Sequence, residues 1–223
     1  MPEATQATAL HELTAAQAAR LIRTGEVSPV ELVEKLLARA SDLDQSVQAW
    51  VQLDPERALT AARAAERLAT SKAELPPLHG VPFGAKDIYD SAGLATAAGF
   101  RPYAMRVPTT DAEPISRLKQ AGAILLGKMV TTQFAQADPS RTRNPWSDER
   151  TPGGSSSGSA AGVAARLVPI ALGSQTAGSI LRPAAYNGVV GFKPTYGRVS
   201  KMGVFPLAWS LDHVGILSRS VED

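Results

Sequence analysis

The sequence predicts an α/β protein in which a mixed β-sheet core is flanked by helices. Three observations carry that expectation. Short, mainly apolar runs recur at Val81–Lys86, Ala123–Leu126, Val168–Leu172 and Val189–Phe192, each too short for a helix. Between them lie longer segments with helical spacing and recognisable start signals. At 223 residues and 44% hydrophobic content, the chain can bury one sizeable core. Strands alternating with helices place the class as α/β.

Residues 1–8 read as a loose tail. Thr14 can cap a helix reaching Arg23, with Gly25 as its stop. Ser28-Pro29-Val30-Glu31 reads as a capping box with Pro at the first helical position. The helix that follows, Pro29 to Leu43, should bury Val30, Val33, Leu36, Leu37 and Ala40. Val47 to Leu53 alternates as a strand containing Trp50. Asp54-Pro55 opens an Ala-rich helix that ends near Ser71. Residues 1–75 thus form a mainly helical region, and 76–223 hold the motifs of the same single domain. Asp87 to Ala98 reads as an exposed loop bordering a site. Asp111 can cap a helix running to Ala121, and Thr131 to Gln136 a short helix beside a pocket. Arg141 to Arg150 is polar loop, and a further helix is expected over Gly158–Arg166.

Composition excludes several function classes. The chain has 23 Lys and Arg against 21 Asp and Glu, a net charge of +2. It has no basic block and few aromatics, so nucleic acid is not an expected partner. Without cysteine there is no disulfide framework, thiolate chemistry or Cys-based metal site. His11, His79 and His213 are scattered, so no metal and no cofactor is expected. No apolar run approaches the roughly 18 residues of a membrane span, and the N-terminus lacks a signal-peptide pattern. Those readings favour a cytoplasmic protein acting on a small molecule.

The chemistry concentrates in Thr151–Pro183, TPGGSSSGSAAGVAARLVPIALGSQTAGSILRP. Two stretches, Pro152–Ser159 and Gly173–Ser179, are dense in Gly and Ser and read as loops whose backbone passes close to a ligand. Flexible surface loops of this composition are common. Phosphate cradling usually needs a glycine-rich motif with a Lys, and Thr151–Ala165 contains no Lys or Arg. Gly154-Ser155-Ser156-Ser157-Gly158 matches the hydrolase elbow G-x-S-x-G with Ser156 central. That motif needs an acid and a His downstream, and only Asp212-His213 is offered. A third chemistry is a serine nucleophile with a lysine base. Lys86 ends the run Gly80-Val81-Pro82-Phe83-Gly84-Ala85. Desolvation there would lower its pKa from about 10.4, and a neutral amine can accept a proton.

Lys86-Asp87, Gly153–Ala160 (GGSSSGSA), Gly173–Ser179 (GSQTAGS), Gly188–Ser200 (GVVGFKPTYGRVS) and Ser210–Gly215 (SLDHVG) together resemble the amidase signature family, over nearly the whole chain. The resemblance implies a Ser–Ser–Lys triad: Ser179 as nucleophile, Ser155 as bridging serine after a cis Gly154–Ser155 bond, and Lys86 as base. Such a serine needs a base within hydrogen-bond reach. The N–H groups of Thr176, Ala177, Gly178 and Ser179 would stabilise the oxyanion if their loop turns tightly into a helix. Two departures stand out. Gln175-Thr176-Ala177-Gly178 replaces the usual Asp-x-Gly-Gly, and a left-handed φ at Ala177 would be strained. Leu181 stands where many relatives have Arg, and Arg182 follows; it could clamp a substrate carboxylate or pair with a neighbouring acid. Lys128, after Gly127, has weaker motif context and reads as a structural or rim residue.

The implied activity is hydrolysis of a carboxylic amide. The alternatives are the amide-cleaving subunit of a glutamine-dependent amidotransferase, or an inactive fragment that acts as a binding or scaffold protein. Members of this family are generally longer, so part of the pocket wall and sheet is expected to be missing. Exposed strand edges, poor stability or self-association into a homo-oligomer are expected to follow.

Overall fold

A computed structural model describes residues 9–71 and 74–223; the tail expected at residues 1–8 lies outside them. Thr14 caps α1 (Ala15–Thr24), its hydroxyl accepting from Gln17 N while Thr14 N donates to Gln17 Oε1. Gly25, in the left-handed region, ends the helix. Ser28 starts α2 (Pro29–Val47) by accepting from the N–H groups of Val30 and Glu31. The reciprocal half of the expected box, a bond from Ser28 N to the Glu31 carboxylate, is absent among the described residues; the Ser28 hydroxyl also donates to Glu66 of α3 (Pro55–Thr70). Leu32, Val33, Leu36 and Ala40 are buried, while Val30 and Leu37 are half-buried against the core.

The strand expected from Val47 is shorter. α2 runs through Val47, Gln48 turns left-handed, and the Asp44 carboxylate accepts from Ala49 N and Trp50 N. β1 is therefore Trp50–Leu53. Asp54 caps α3 as expected. β2 is Pro82–Lys86, α4 is Glu113–Gln120 and β3 is Ile124–Met129. Asp111 does not cap α4. Its two oxygens accept from Ala92 N at 2.9 Å and Lys119 Nζ at 2.7 Å, stitching a loop to the helix. The segment 87–98, expected to be exposed, is largely buried: Ile88, Tyr89 and Leu94 enter the core, and the Tyr89 hydroxyl donates to Gly173 O.

α5 spans Ser157–Ala164, β4 Ile170–Gln175, α6 Leu181–Asn187, β5 Val190–Phe192 and β6 His213–Ser218. The strands form one sheet in the order β1-β3-β2-β4-β6-β5. β2 runs parallel to β3 and β4, and the other pairings are antiparallel. The sheet is mixed, as expected, and β1 ties the helical N-terminal region into it. β5 is an edge strand, and its Phe192 is 62% exposed.

The Gly/Ser-rich stretches are not loops throughout. α5 is made of them and is buried over Ser157–Val163, against β2, β3, β4 and β6. A Cβ on Gly158 would lie 2.3 Å from Ala49 O and 2.5 Å from Val130 N. Small residues here let a helix lie directly on backbone. The buried hydroxyls find partners: Ser159 Oγ donates to Leu172 O at 2.9 Å, and Ser156 Oγ both donates to Ser174 O and accepts from Ser174 N. Likewise Gly173, Ser174 and Gln175 belong to β4, not to a loop. No helix among the described residues is long and apolar enough to cross a membrane.

Candidate active site

The site lies where the ends of β2 and β4 meet the turn into α5. Lys86 is the last residue of β2 and is fully buried. Its Nζ donates to Ser155 Oγ at 2.6 Å and to Ser174 Oγ at 2.8 Å. Hydroxyls cannot offset the cost of a buried ammonium as a carboxylate would, and among the described residues no acid lies in contact with Nζ. Burial therefore lowers the Lys86 pKa to about 7, with only a partial upward pull from Asp212. Near neutrality the group is divided between donor and acceptor forms.

Ser155 is fully buried, and the Gly154–Ser155 bond is cis. Ser155 O accepts from Thr132 N, and Ser156 N donates to Ser179 O at 3.3 Å. That last bond draws the two serine-bearing segments together. Ser179 is 9% exposed and its hydroxyl is not bonded to Ser155 Oγ in this structure. Ser174, on β4, was not singled out by the sequence. Its signal was its position next to Gly173 in a run assumed to be loop; a strand places it opposite the Lys86 amine.

The turn from β4 to α6 is closed by Gln175. Its Oε1 accepts from both Ile180 N and Leu181 N at 2.9 Å. One side-chain carbonyl thus satisfies two amides at the start of the helix. Among the described residues, the N–H groups of Thr176, Ala177, Gly178 and Ser179 have no partner in the protein. Ala177 stays out of the left-handed region, so its Cβ costs nothing there. The Thr176 hydroxyl donates to Asp212.

Arg182 is exposed, and its Nε and Nη2 donate to Gly154 O at 3.1 and 2.7 Å. This fork grips the peptide that precedes Ser155, and among the described residues no acid pairs with it. Lys128 is fully buried, not at a rim. Its Nζ donates to Asp87 Oδ1 at 3.0 Å and to Thr96 Oγ1 at 2.7 Å. Ser156 is sealed against β4 and no histidine approaches it, which removes the hydrolase-elbow reading. Among the described residues no three His, Cys, Asp or Glu side chains cluster as a metal site.

The sequence and the fold both have counterparts among known proteins. The chain is 44% identical to a glutamyl-tRNA(Gln) amidotransferase subunit from Roseiflexus castenholzii, over 97% of this chain and 45% of that protein. Its fold is similar to the native peptide amidase from Stenotrophomonas maltophilia, with a TM-score of 0.88 and 36% identity over 95% of this chain and 46% of that one. A fatty acid amide hydrolase superposes with a TM-score of 0.89 at 28% identity, over 96% of this chain and 40% of that one. The chain spans about half the length of these relatives. The profile of the Amidase family matches residues 31–223, and the chain belongs to that family.

Proposed function

We propose that this chain carries the nucleophile, relay and base of an amidase that hydrolyses a carboxylic amide through a serine acyl-enzyme. The observation that supports it most is the buried Lys86 amine, 2.6 Å from Ser155 Oγ with no carboxylate in contact among the described residues. When the amine is neutral, the same contact runs the other way. Ser155 gives its proton to Nζ and takes one from Ser179. The Ser179 oxygen adds to the amide carbonyl, and the carbonyl oxygen becomes an oxyanion facing the amides of residues 176–179. Each fixed donor of that kind is typically worth about 10²–10³ in rate. The C–N bond then breaks as the proton returns through Ser155 to the leaving nitrogen. Water attacks the acyl carbon by the same relay, releasing the acid and restoring Ser179.

The test is labelling with a fluorophosphonate, which phosphonylates an activated serine. Labelling of the folded chain should vanish in Ser179→Ala, fall in Lys86→Ala, and rise with pH through about 7 as the amine loses its proton. Labelling that persists in Ser179→Ala would refute the nucleophile. A well-folded chain that is never labelled would favour the scaffold reading.

A second reading is favoured by the 44% identity to one component of an amidotransferase. In it the same chemistry releases ammonia from glutamine inside an assembly. Hydrolysis of a free amide by the isolated protein supports the first reading. Hydrolysis that appears only with partner subunits supports the second.

A further inference from the structure

Asp212 sits in the turn that leads into β6, and its two oxygens serve different neighbours. Oδ2 accepts from Leu207 N at 2.9 Å and Ala208 N at 3.0 Å, closing the turn. Oδ1 accepts from the Thr176 hydroxyl. Thr176 is the first residue after β4 and the first of the unpartnered amides. Two residues back on the same strand, Ser174 accepts from Lys86. One carboxylate therefore ties the β6 turn to the head of the candidate oxyanion loop, which follows the strand whose Ser174 meets the buried amine.

The other charged and titratable groups around Lys86 are already committed. Asp87, next in the chain, turns to Lys128, which pairs in register with Ala85 on the neighbouring strand. The Tyr89 phenol is spent on Gly173 O, and burial pushes its pKa up, so it stays neutral. His213 Nδ1 lies against Leu211 O. Lys201 lies over the rings of Tyr196 and Trp209. Asp212 has no cationic partner among the described residues.

We propose that Asp212 is a positioning residue of this site: its carboxylate anchors Thr176 and the donor loop, and sets a negative charge at the head of that loop, two residues on from the Ser174 that meets Lys86. The proposal rests on the reading of Lys86 as the base. The sign follows from simple electrostatics. Burial pulls the Lys86 pKa down and Asp212 pulls it partly back. Without that charge the amine deprotonates at lower pH. Asp212 acts from beyond contact, so the midpoint should move down when its charge is removed.

Two measurements on the full chain separate the parts. Lys86 is titrated through its ¹³Cε signal, assigned by its loss in Lys86→Met, and the labelling rate of Ser179 by a fluorophosphonate is read at its high-pH plateau. Asp212→Asn should lower the Lys86 midpoint and slow labelling about tenfold, the weight of one hydrogen bond to a charged group. Thr176→Val keeps the charge and loses the tether. It should cost a similar factor in labelling and leave the midpoint in place. A midpoint in Asp212→Asn that stays or rises overturns the charge role, and full labelling in Thr176→Val overturns the anchor. If Asp212→Asn does not fold, Asp212→Glu decides. It should keep the midpoint and lose labelling, and a lowered midpoint or full labelling would overturn the proposal. If wild-type Ser179 is never labelled, the nucleophile assignment fails and the anchor role fails with it. The NMR titration then still decides the charge role by itself.

Discussion

Replacing Lys86 by Met tests the neutral-amine reading through stability, without any substrate. The Lys86 pKa is about 7 in the fold against an ordinary 10.5, a depression of 10.5 − 7 = 3.5 units. At about 1.4 kcal/mol per unit, folding carries a penalty of order 5 kcal/mol when both states are protonated. The sign is fixed by linkage: the unfolded chain binds more protons between pH 7 and 10.5, so stability rises with pH across that window and is flat below about pH 6. Lys86→Met removes the group from both states. It also strips a partner from Ser155 and Ser174, a cost that is largely the same at every pH. The difference in unfolding free energy, wild type minus variant, should therefore increase by about 2 kcal/mol from pH 7 to pH 9. Urea denaturation of both proteins at four pH values measures it. A difference that does not change with pH would mean that Lys86 keeps its full charge in the fold, and the base assignment would be lost.

Three further outcomes are expected. Asp87→Asn or Lys128→Met alone should destabilise by about 3–5 kcal/mol in urea, because each strands a buried partner, while the double variant Asp87→Leu/Lys128→Met should recover most of that loss. Gly158→Ala should cost at least about 1–3 kcal/mol, since its Cβ meets backbone atoms that cannot step aside; an unchanged denaturation midpoint would contradict the contact of α5 with Val130 and Ala49. Arg182→Lys should slow Ser179 labelling about tenfold with little change in melting temperature, because an ammonium cannot reproduce the planar fork on Gly154 O and the side chain is exposed.

What was legible in the sequence follows from how local its cause is. Thr14, Ser28 and Asp54 announce helix starts because a cap is made within three residues, and all three do cap. β2 to β5 showed as apolar runs. β6 was missed because His213, Gly215 and Ser218 interrupt its apolar pattern; it is specified by its neighbours, β4 on one side and β5 on the other. Asp111 misled because its carboxylate suits a cap and a loop anchor equally, and only the tertiary position of Ala92 chooses between them. The Gly/Ser stretches misled for a physical reason: small residues signal close backbone approach, and that approach can be to a ligand or to a sheet. Gly158 and Gly173 serve the sheet, where a Cβ would strike Ala49 O and Leu217. Of the candidate site, Lys86, Ser155 and the loop 176–179 were legible through motif order. Ser174, Gln175 and Asp212 act by bonds across 88, 5 and 36 residues, which no motif spacing displays.

The comparison of the two buried lysines carries the chemical assignment further than either alone. Lys86 and Lys128 lie on adjacent parallel strands and both are fully removed from solvent. Burial lowers the pKa of each. They differ in what meets the amine. Lys128 meets the Asp87 carboxylate and the Thr96 hydroxyl, an arrangement that favours a fixed positive charge and leaves it nothing to accept a proton with. Lys86 meets two hydroxyls, which accept from an ammonium and donate to an amine equally well. The fold thus holds, one strand apart, a lysine committed to structure and a lysine free to change protonation state. The second one faces Ser155. A proton relay needs a group whose two forms are close in energy near the working pH; burial brings the Lys86 amine there, and partners that serve both of its forms keep it there.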